Sequence, residues 1–375
     1  ASSELTIYYS QLKLYRETIK LRYNLAVRAI KYLPNSLSVQ YSELMQNCIR
    51  PISDGSNLSF KSKKINNKRY WYLYISVGST RREHYLGEES RELLDQIEDE
   101  KARWESDTDD RELRQRLVNM LIGGGMAAPG RDEGKVISLL ERNGVFLAGA
   151  ALVGTMAFRA YANMLSVVWG SDAGTQDIDL AADNHYKLAL PRPRAPINLR
   201  QVILDSGMGF FEVPALNRKQ PSTSFKIRGR DFIVDVVAPM KGRETLRPVH
   251  LTEFGTYASP LRHLDYLLDD LQPAVLLYEH GIMINVPAPG RFAIHKCAIS
   301  QKRPAAFAAK SLKDLSQAAQ IFKVLLDSRP GDITLAFEAA RSQGEAFVSD
   351  FMTGLRLIDK DVAAAVRNHI EGKQN

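Results

Sequence analysis

From Tyr8 to Leu33, apolar and aromatic residues recur at helical spacing through Leu14, Ile19, Leu21, Leu25 and Ile30, and Pro34 ends the pattern. One long helix is expected there. Between Leu58 and Leu86 the texture becomes period-two and aromatic, with Asn66-Asn67 and Gly78-Ser79 as turns, which predicts a three-stranded antiparallel meander. The acidic run Glu88 to Trp104 reads as a helix whose solvated face covers that meander. Clustered Gly123, Gly124, Gly125, Pro129 and Gly130 oppose any regular element, so a new domain is expected to begin just after them. The apolar run Val145 to Phe158 predicts a buried strand, a turn at Gly154-Thr155 and a helix. A second antiparallel pair, Val275 to Tyr278 and Ile282 to Val286, is expected to turn at His280-Gly281. Beyond Pro289 the pattern is helical almost to the end, punctuated near Arg329-Pro330-Gly331, and no repeat of fixed period is visible.

Composition narrows the class. The chain has 375 residues, 45% hydrophobic and 25% charged, which excludes disorder as the dominant state. A net charge of +7 is compatible with a phosphate-bearing partner without specifying one. Only Cys48 and Cys297 are present, too few for a disulfide framework or a Cys-rich zinc site, so a reducing, cytoplasmic setting is expected. The apolar run ending at Phe158 falls short of the roughly 20 residues that span a bilayer, and the start Ala1-Ser-Ser-Glu-Leu lacks the pattern of a secretory signal. No membrane association is expected.

Charge is unevenly spread. Residues 1–82 hold 14 basic against 4 acidic side chains, whereas residues 83–112 hold 4 against 13. Within the basic part, Lys61, Lys63, Lys64, Lys68, Arg69, Arg81 and Arg82 mix with Tyr70, Trp71, Tyr72 and Tyr74. Two readings stand open. Such a surface holds nucleic acid through phosphate contacts and base stacking; equally, Trp71 and the tyrosines pack a small sheet whose edges carry lysine for solubility.

The chemistry concentrates further on. After the buried strand, Gly154 lets another group approach the backbone closely, and Thr155 adds a hydroxyl at the start of a helix whose amides face outward, a setting that holds phosphate. In Asp177-Ile178-Asp179 the strand period sends both carboxylates to one face, where a divalent ion such as Mg²⁺ or Mn²⁺ relieves their repulsion. Asp235, a lone acid in the apolar strand Phe232 to Val237, supplies the third carboxylate of a two-metal phosphoryl-transfer site. Gly134-Lys135 is not a phosphate loop, since Pro129 and Val136 replace the Gly and Ser/Thr that it requires. Gln220 to Arg228 either places Ser222, Thr223, Ser224 and Lys226 against phosphates or the acceptor, or forms a Ser-rich turn into a hairpin whose second strand begins near Arg230.

The order of strand, Gly-Thr turn, helix, Asp-x-Asp strand and later buried Asp resembles the polymerase-β-like nucleotidyltransferase superfamily, through Gly154, Thr155, Asp177, Asp179 and Asp235. The start Gly154-Thr155-Met156-Ala157-Phe158 and the segment Gln220 to Lys226 are similar to a bacterial nucleotidyltransferase group, a likeness reaching from Tyr8 to Phe322. Thr155 stands where Ser or Gly is commoner, and the gap from Gly154 to Asp177 is longer than usual. A helical Lys and a later Asp resemble abortive-infection nucleotidyltransferase toxins at Lys296 and Asp314, while His295 reads as a partly buried helix residue rather than a general base.

The resemblance implies an α+β fold with a mixed-sheet core at 131–250, preceded by the N-terminal helix, meander and acidic helix at 1–122 and followed by a mainly helical domain at 251–375. It implies metal-dependent transfer of a nucleoside monophosphate from an NTP, ATP among them. Asp177, Asp179 and Asp235 would hold the metal, Lys296 and Asp314 would complete the catalytic set, and Gly154 and Thr155 would bind the triphosphate. The acceptor is RNA or protein, with RNA (tRNA included) favoured by the basic meander, and the toxin likeness implies an antitoxin partner. The rivals are a non-catalytic nucleic-acid-binding protein and a nucleotide sensor built on the same scaffold.

Overall fold

A computed structural model of the protein describes residues 26–49, 58–65, 68–77, 80–171, 177–184, 197–215, 217, 219–303 and 308–372. Most of the helix expected over Tyr8 to Leu33 lies outside these residues. At its end the chain is extended rather than helical: Lys31–Tyr32 (β1) pairs antiparallel with Val167–Val168 (β6). Tertiary bonds override the helical pattern here, since Leu33 N–H donates to the Ser166 carbonyl at 2.8 Å and the Tyr32 hydroxyl to Asp327 at 2.5 Å.

The N-terminal part continues with helix α1 (Asn35–Ile49) and the expected meander, β2 (Leu58–Ile65), β3 (Lys68–Val77) and β4 (Thr80–Glu88), which form their own three-stranded antiparallel sheet. The acidic helix is displaced and much longer than expected. Glu88 ends β4, Ser90 caps the new helix by accepting from Leu93 N–H, and α2 runs from Arg91 to Gly123. Nothing between Trp104 and Gly123 breaks a helix, so it stops only at the glycines. Leu117, Val118 and Leu121 of α2 bury against Leu37, Tyr41 and Leu44 of α1, and Val275 and Leu277 complete this smaller core.

A seven-stranded mixed sheet forms the centre. Its path runs β11 (Val249–Leu251), β12 (Thr256–Leu261), β10 (Ile233–Pro239), β7 (Asp177–Ala181), β5 (Ala151–Val153), with β9 (Ser224–Ile227) on β10 and β8 (Phe210–Glu212) on β9. β7 and β10 are parallel neighbours at its middle. Helix α3 (Arg131–Arg142) precedes β5, and α4 (Gly154–Met164) follows it directly. Gly134, read above as no part of a phosphate loop, lies in α3 under the ring of Tyr278, which a Cβ would strike. Short helices α5 (Leu199–Leu204) and α6 (Leu264–Leu268) flank the sheet. The hairpin β13 (Leu271–Leu276) and β14 (Ile282–Pro287) packs on β5, held by Asn285, whose amide donates to the Phe146 and Ala150 carbonyls at 2.7 and 2.9 Å.

From Pro289 the chain is helical: α7 (Pro289–Ser300), α8 (Ala308–Ser328), α9 (Pro330–Ser342), α10 (Glu345–Leu355) and α11 (Lys360–Glu371). This is an α+β fold with a helical C-terminal region. One hydrophobic core runs from the sheet residues Leu152, Ile178 and Val234 into Phe292, Phe322 and Phe351 of the helices. Helix α7 is buried nearly all round, and its neighbours approach closely because they lack side chains at the contact. A Cβ on Gly354 of α10 would meet the Cys297 backbone, and one on Gly290 of α7 the Asp332 carbonyl at 2.7 Å.

Gly354→Ala is therefore expected to destabilise the protein by about 1–3 kcal/mol through overpacking. Urea unfolding checks it: the midpoint falls while the slope stays unchanged.

Candidate active site

Strand pairing assembles the site. Isoleucine, leucine and valine alternate with the acids in β7 and β10, so Ile178, Leu180, Val234 and Val236 turn into the core while Asp177, Asp179 and Asp235 share the opposite face. The parallel register sets Asp235 directly beside Asp179, and the antiparallel register sets Val153 of β5 on the other side of Asp179. Gly154 follows at once. Its φ is +61°, in the left-handed region, and a Cβ there would collide with the Asp179 carboxylate. The turn needs glycine for both its backbone conformation and its closeness to the acid.

Electrostatics show crowded negative charge. Burial first, then the Asp235 carboxylate and Asp177, raises the pKa of Asp179 above the usual carboxylate range, with Lys296 and Lys310 pulling the other way. Asp235 is raised by burial and by Asp177, opposed by a hydrogen bond from Ser224 and the charge of Lys310. The Ser224 hydroxyl donates to Asp235 Oδ1 in a short bond. Among the described residues, no three His, Cys, Asp or Glu side chains are closed into a ready metal cage. The donor set nonetheless fits a hard divalent cation: three carboxylates on one face, two of them raised in pKa by burial and by their acidic neighbours.

The other expected site residues scatter. Ser222 Oγ donates to the Ser224 carbonyl at 2.8 Å, and Thr223 Oγ1 lies 2.8 Å from Ser259 Oγ. Lys226 pairs with Asp231 at 3.0 Å, within the turn of the β9–β10 hairpin. Of these four, Ser224 alone contacts an acid of the cluster. Lys296 of α7 and Asp314 of α8 are buried and paired at 2.5 Å, and Arg303 binds the other Asp314 oxygen at 2.8 Å. His295 is buried, more so than the sequence suggested, and burial lowers its pKa to about 3.

The meander register divides its candidates between two faces. Lys61, Lys63 and Lys68 share one face with Tyr70, Tyr72, Tyr74 and Tyr85; Arg69 and Trp71 point to the other. Lys63 stands over the Tyr72 ring at 4.6 Å and pairs with Glu83 at 2.6 Å, while Lys68 pairs with Glu88 at 3.0 Å. Arg69 meets Glu89 at 3.5 Å, and Trp71 Nε1 donates to the same carboxylate at 2.9 Å. The side chains of Arg81 and Arg82 lie outside the described residues.

Two cations that sequence reading did not select lie beside the acids. Lys313 of α8 donates to Thr155 Oγ1 at 3.0 Å, and Lys310 acts on both Asp179 and Asp235. The available signal was their three-residue spacing immediately before Asp314, at the start of a helix that turns a long apolar face inward.

Because Asp179 and Asp235 have raised folded-state values, their unfavourable charge is absent below the unfolded pKa and grows as pH rises through the folded one. Asp179→Asn is expected to melt above wild type at pH 7, with the gap closing as pH falls below about 4. Mg²⁺ or Mn²⁺ should raise the wild-type midpoint more than that of the variant. Thermal melts across pH, with and without the ion, measure both effects; a gap independent of pH rejects the buried-charge account.

A family model described as nucleotidyltransferase matches residues 131–342, more than half of the chain, from α3 to the end of α9. No curated protein and no solved structure matches.

Proposed function

Since the chain belongs to the nucleotidyltransferase family and is a nucleotidyl-transferring enzyme, we propose that it moves a nucleoside monophosphate from an NTP to RNA, with Asp177, Asp179 and Asp235 as its metal-holding carboxylates. The observation that carries this reading is the gathering of those three acids on one sheet face beside the Gly154-Thr155 turn. A divalent ion bound there would neutralise phosphate charge and favour the deprotonated acceptor hydroxyl.

The protein's own residues do the positioning. Gly154 brings the first amides of α4 close to the acids, where they receive phosphate oxygens with the positive end of the helix dipole. The acceptor oxygen forms a bond to the α-phosphorus as the bond to pyrophosphate breaks, and Asp235 takes the hydroxyl proton. The hydrogen bond from Ser224 holds one Asp235 oxygen and so orients the carboxylate toward the acceptor. Catalysis is then mostly orientation and charge neutralisation.

RNA as acceptor is supported by the meander's tyrosine face and its lysines. The likeness of Lys296 and Asp314 to abortive-infection toxins supports action on translation, held in check by an antitoxin partner.

Purified protein given each α-labelled NTP, Mg²⁺ and cellular RNA is expected to label the RNA. Asp177→Ala/Asp179→Ala should lower the rate by on the order of 10³-fold or more, and its expression should not arrest growth where wild type does. Label entering protein instead of RNA would overturn the acceptor assignment; no label in any acceptor would overturn the transfer reading. Lys61→Glu/Lys63→Glu should weaken RNA binding and flatten the dependence of log affinity on log salt by about 2. Trp71→Ala, on the opposite face, should leave that slope unchanged.

A further inference from the structure

Helix α8 carries a polar stripe along the side that meets α4 and α7. Lys310, Lys313, Asp314 and Gln317 recur at three- and four-residue spacing and so occupy one face. Their side chains divide the work. Asp314 turns to α7, where Lys296 and Arg303 hold its two oxygens. Lys296 is thereby tied to a buried carboxylate, although its charge still reaches Asp179.

Lys313 turns to α4 and donates to the hydroxyl of Thr155, at the turn where Gly154 presses on Asp179. Lys310 stands one turn earlier, exposed, with its charge felt by both Asp179 and Asp235. Gln317 stands one turn beyond Lys313, 3% exposed, and neither its amide nitrogen nor its amide oxygen has a partner among the described residues. Buried polar groups are nearly always hydrogen-bonded, so an amide with both ends unmatched on this stripe points to a polar ligand that belongs there.

Charge makes the same demand. Three crowded carboxylates repel a polyphosphate, and one helix N-terminus supplies only about half a positive charge against it. Two ammonium groups on one helix, Lys313 touching the phosphate turn and Lys310 one turn earlier, correct that imbalance as compact point charges.

We infer that Lys310 and Lys313 form the triphosphate clamp of this enzyme, gripping the β- and γ-phosphates between α8 and the start of α4, with Thr155 holding Lys313 in place until the substrate arrives. The inference rests on the nucleotidyl-transfer reading above. It assigns the leaving pyrophosphate to the helical C-terminal region and leaves the α-phosphate to the sheet acids. Lys296 becomes a positioning residue, which through Asp314 fixes the rotation of α8 and hence the aim of both lysines.

The probe is inorganic tripolyphosphate with Mg²⁺, measured by calorimetry alongside the KM for NTP in the RNA-labelling assay. Lys310→Met and Lys313→Met are each expected to weaken tripolyphosphate binding and raise KM by roughly 10-fold, and the double variant by roughly 100-fold. Affinity for the nucleoside alone should stay at the wild-type value. Lys313→Arg should restore most of the binding, and Lys323→Met, on the same helix but paired with Asp327, should match wild type. Because Lys310 is exposed, its substitution leaves the fold intact and the test valid even if Lys313→Met melts early.

Wild-type affinity and KM in the Lys310→Met and double variants, with RNA labelling intact, overturn the clamp and spare the transfer reading. A wild type that binds tripolyphosphate through these lysines but labels no acceptor keeps the clamp and overturns the transfer reading.

Discussion

The constraint on which the site depends is the pairing of two parallel strands that carry acids in register. β7 and β10 lie side by side, so Asp179 and Asp235 are neighbours, and strand alternation brings Asp177 to the same face. Three carboxylates at this spacing repel one another, and burial sharpens the repulsion by removing the water that would screen it. The apolar residues between them, Ile178, Val234 and Val236, make the arrangement tolerable because they anchor both strands in the largest core of the molecule. The acids face outward as a consequence of what the core requires. Stability is thus lost locally to hold a concentration of negative charge, the usual relation between a strained site and the scaffold that carries it.

The helical region contributes the opposite charge. Helix α7 is enclosed by its neighbours, with glycines at its closest approaches to α9 and α10, and α8 packs along it. Its register is set further by the buried ion pair of Lys296 with Asp314 and by Arg303. A buried pair of this kind adds little net stability, yet a mispaired alternative is costly, which gives it value in specifying one packing. The same helix holds Lys313 at Thr155, so the rotation that matches one pair also aims the other cation. Sheet and helices share one continuous core, and the site lies where their charged surfaces meet.

The meander follows a different logic. Its aromatic and basic residues read as one mixture along the sequence, but the register separates them into a tyrosine-lysine face and a face with Trp71 and Arg69. Lys63 and Lys68 already have acidic partners from β4, which tempers their charge while the tyrosine rings remain as stacking surfaces. An RNA bound there would gain from base stacking as well as from phosphate contacts.

Much of this protein is written in local pattern. The meander, the Gly123 to Gly130 break, the buried strand leading to Gly154, the Asp177-Ile178-Asp179 strand and the helices beyond Pro289 all follow from spacing, turn residues and hydrophobic alternation, which act within a few residues of the chain. The acids could be identified because an unpaired charge in an apolar strand is expensive wherever it occurs. Partnership at long range was not legible. That Lys31–Tyr32 pairs with Val167–Val168, that Ser224 bonds Asp235, that Lys296 is matched by Asp314 and that Lys313 reaches Thr155 depend on registers and helix rotations decided by packing the whole core. The sequence by itself determined the strands, turns and acids that local pattern marks out; the tertiary structure decided which side chains face one another, because burial and steric fit select one arrangement of the elements that local pattern leaves free.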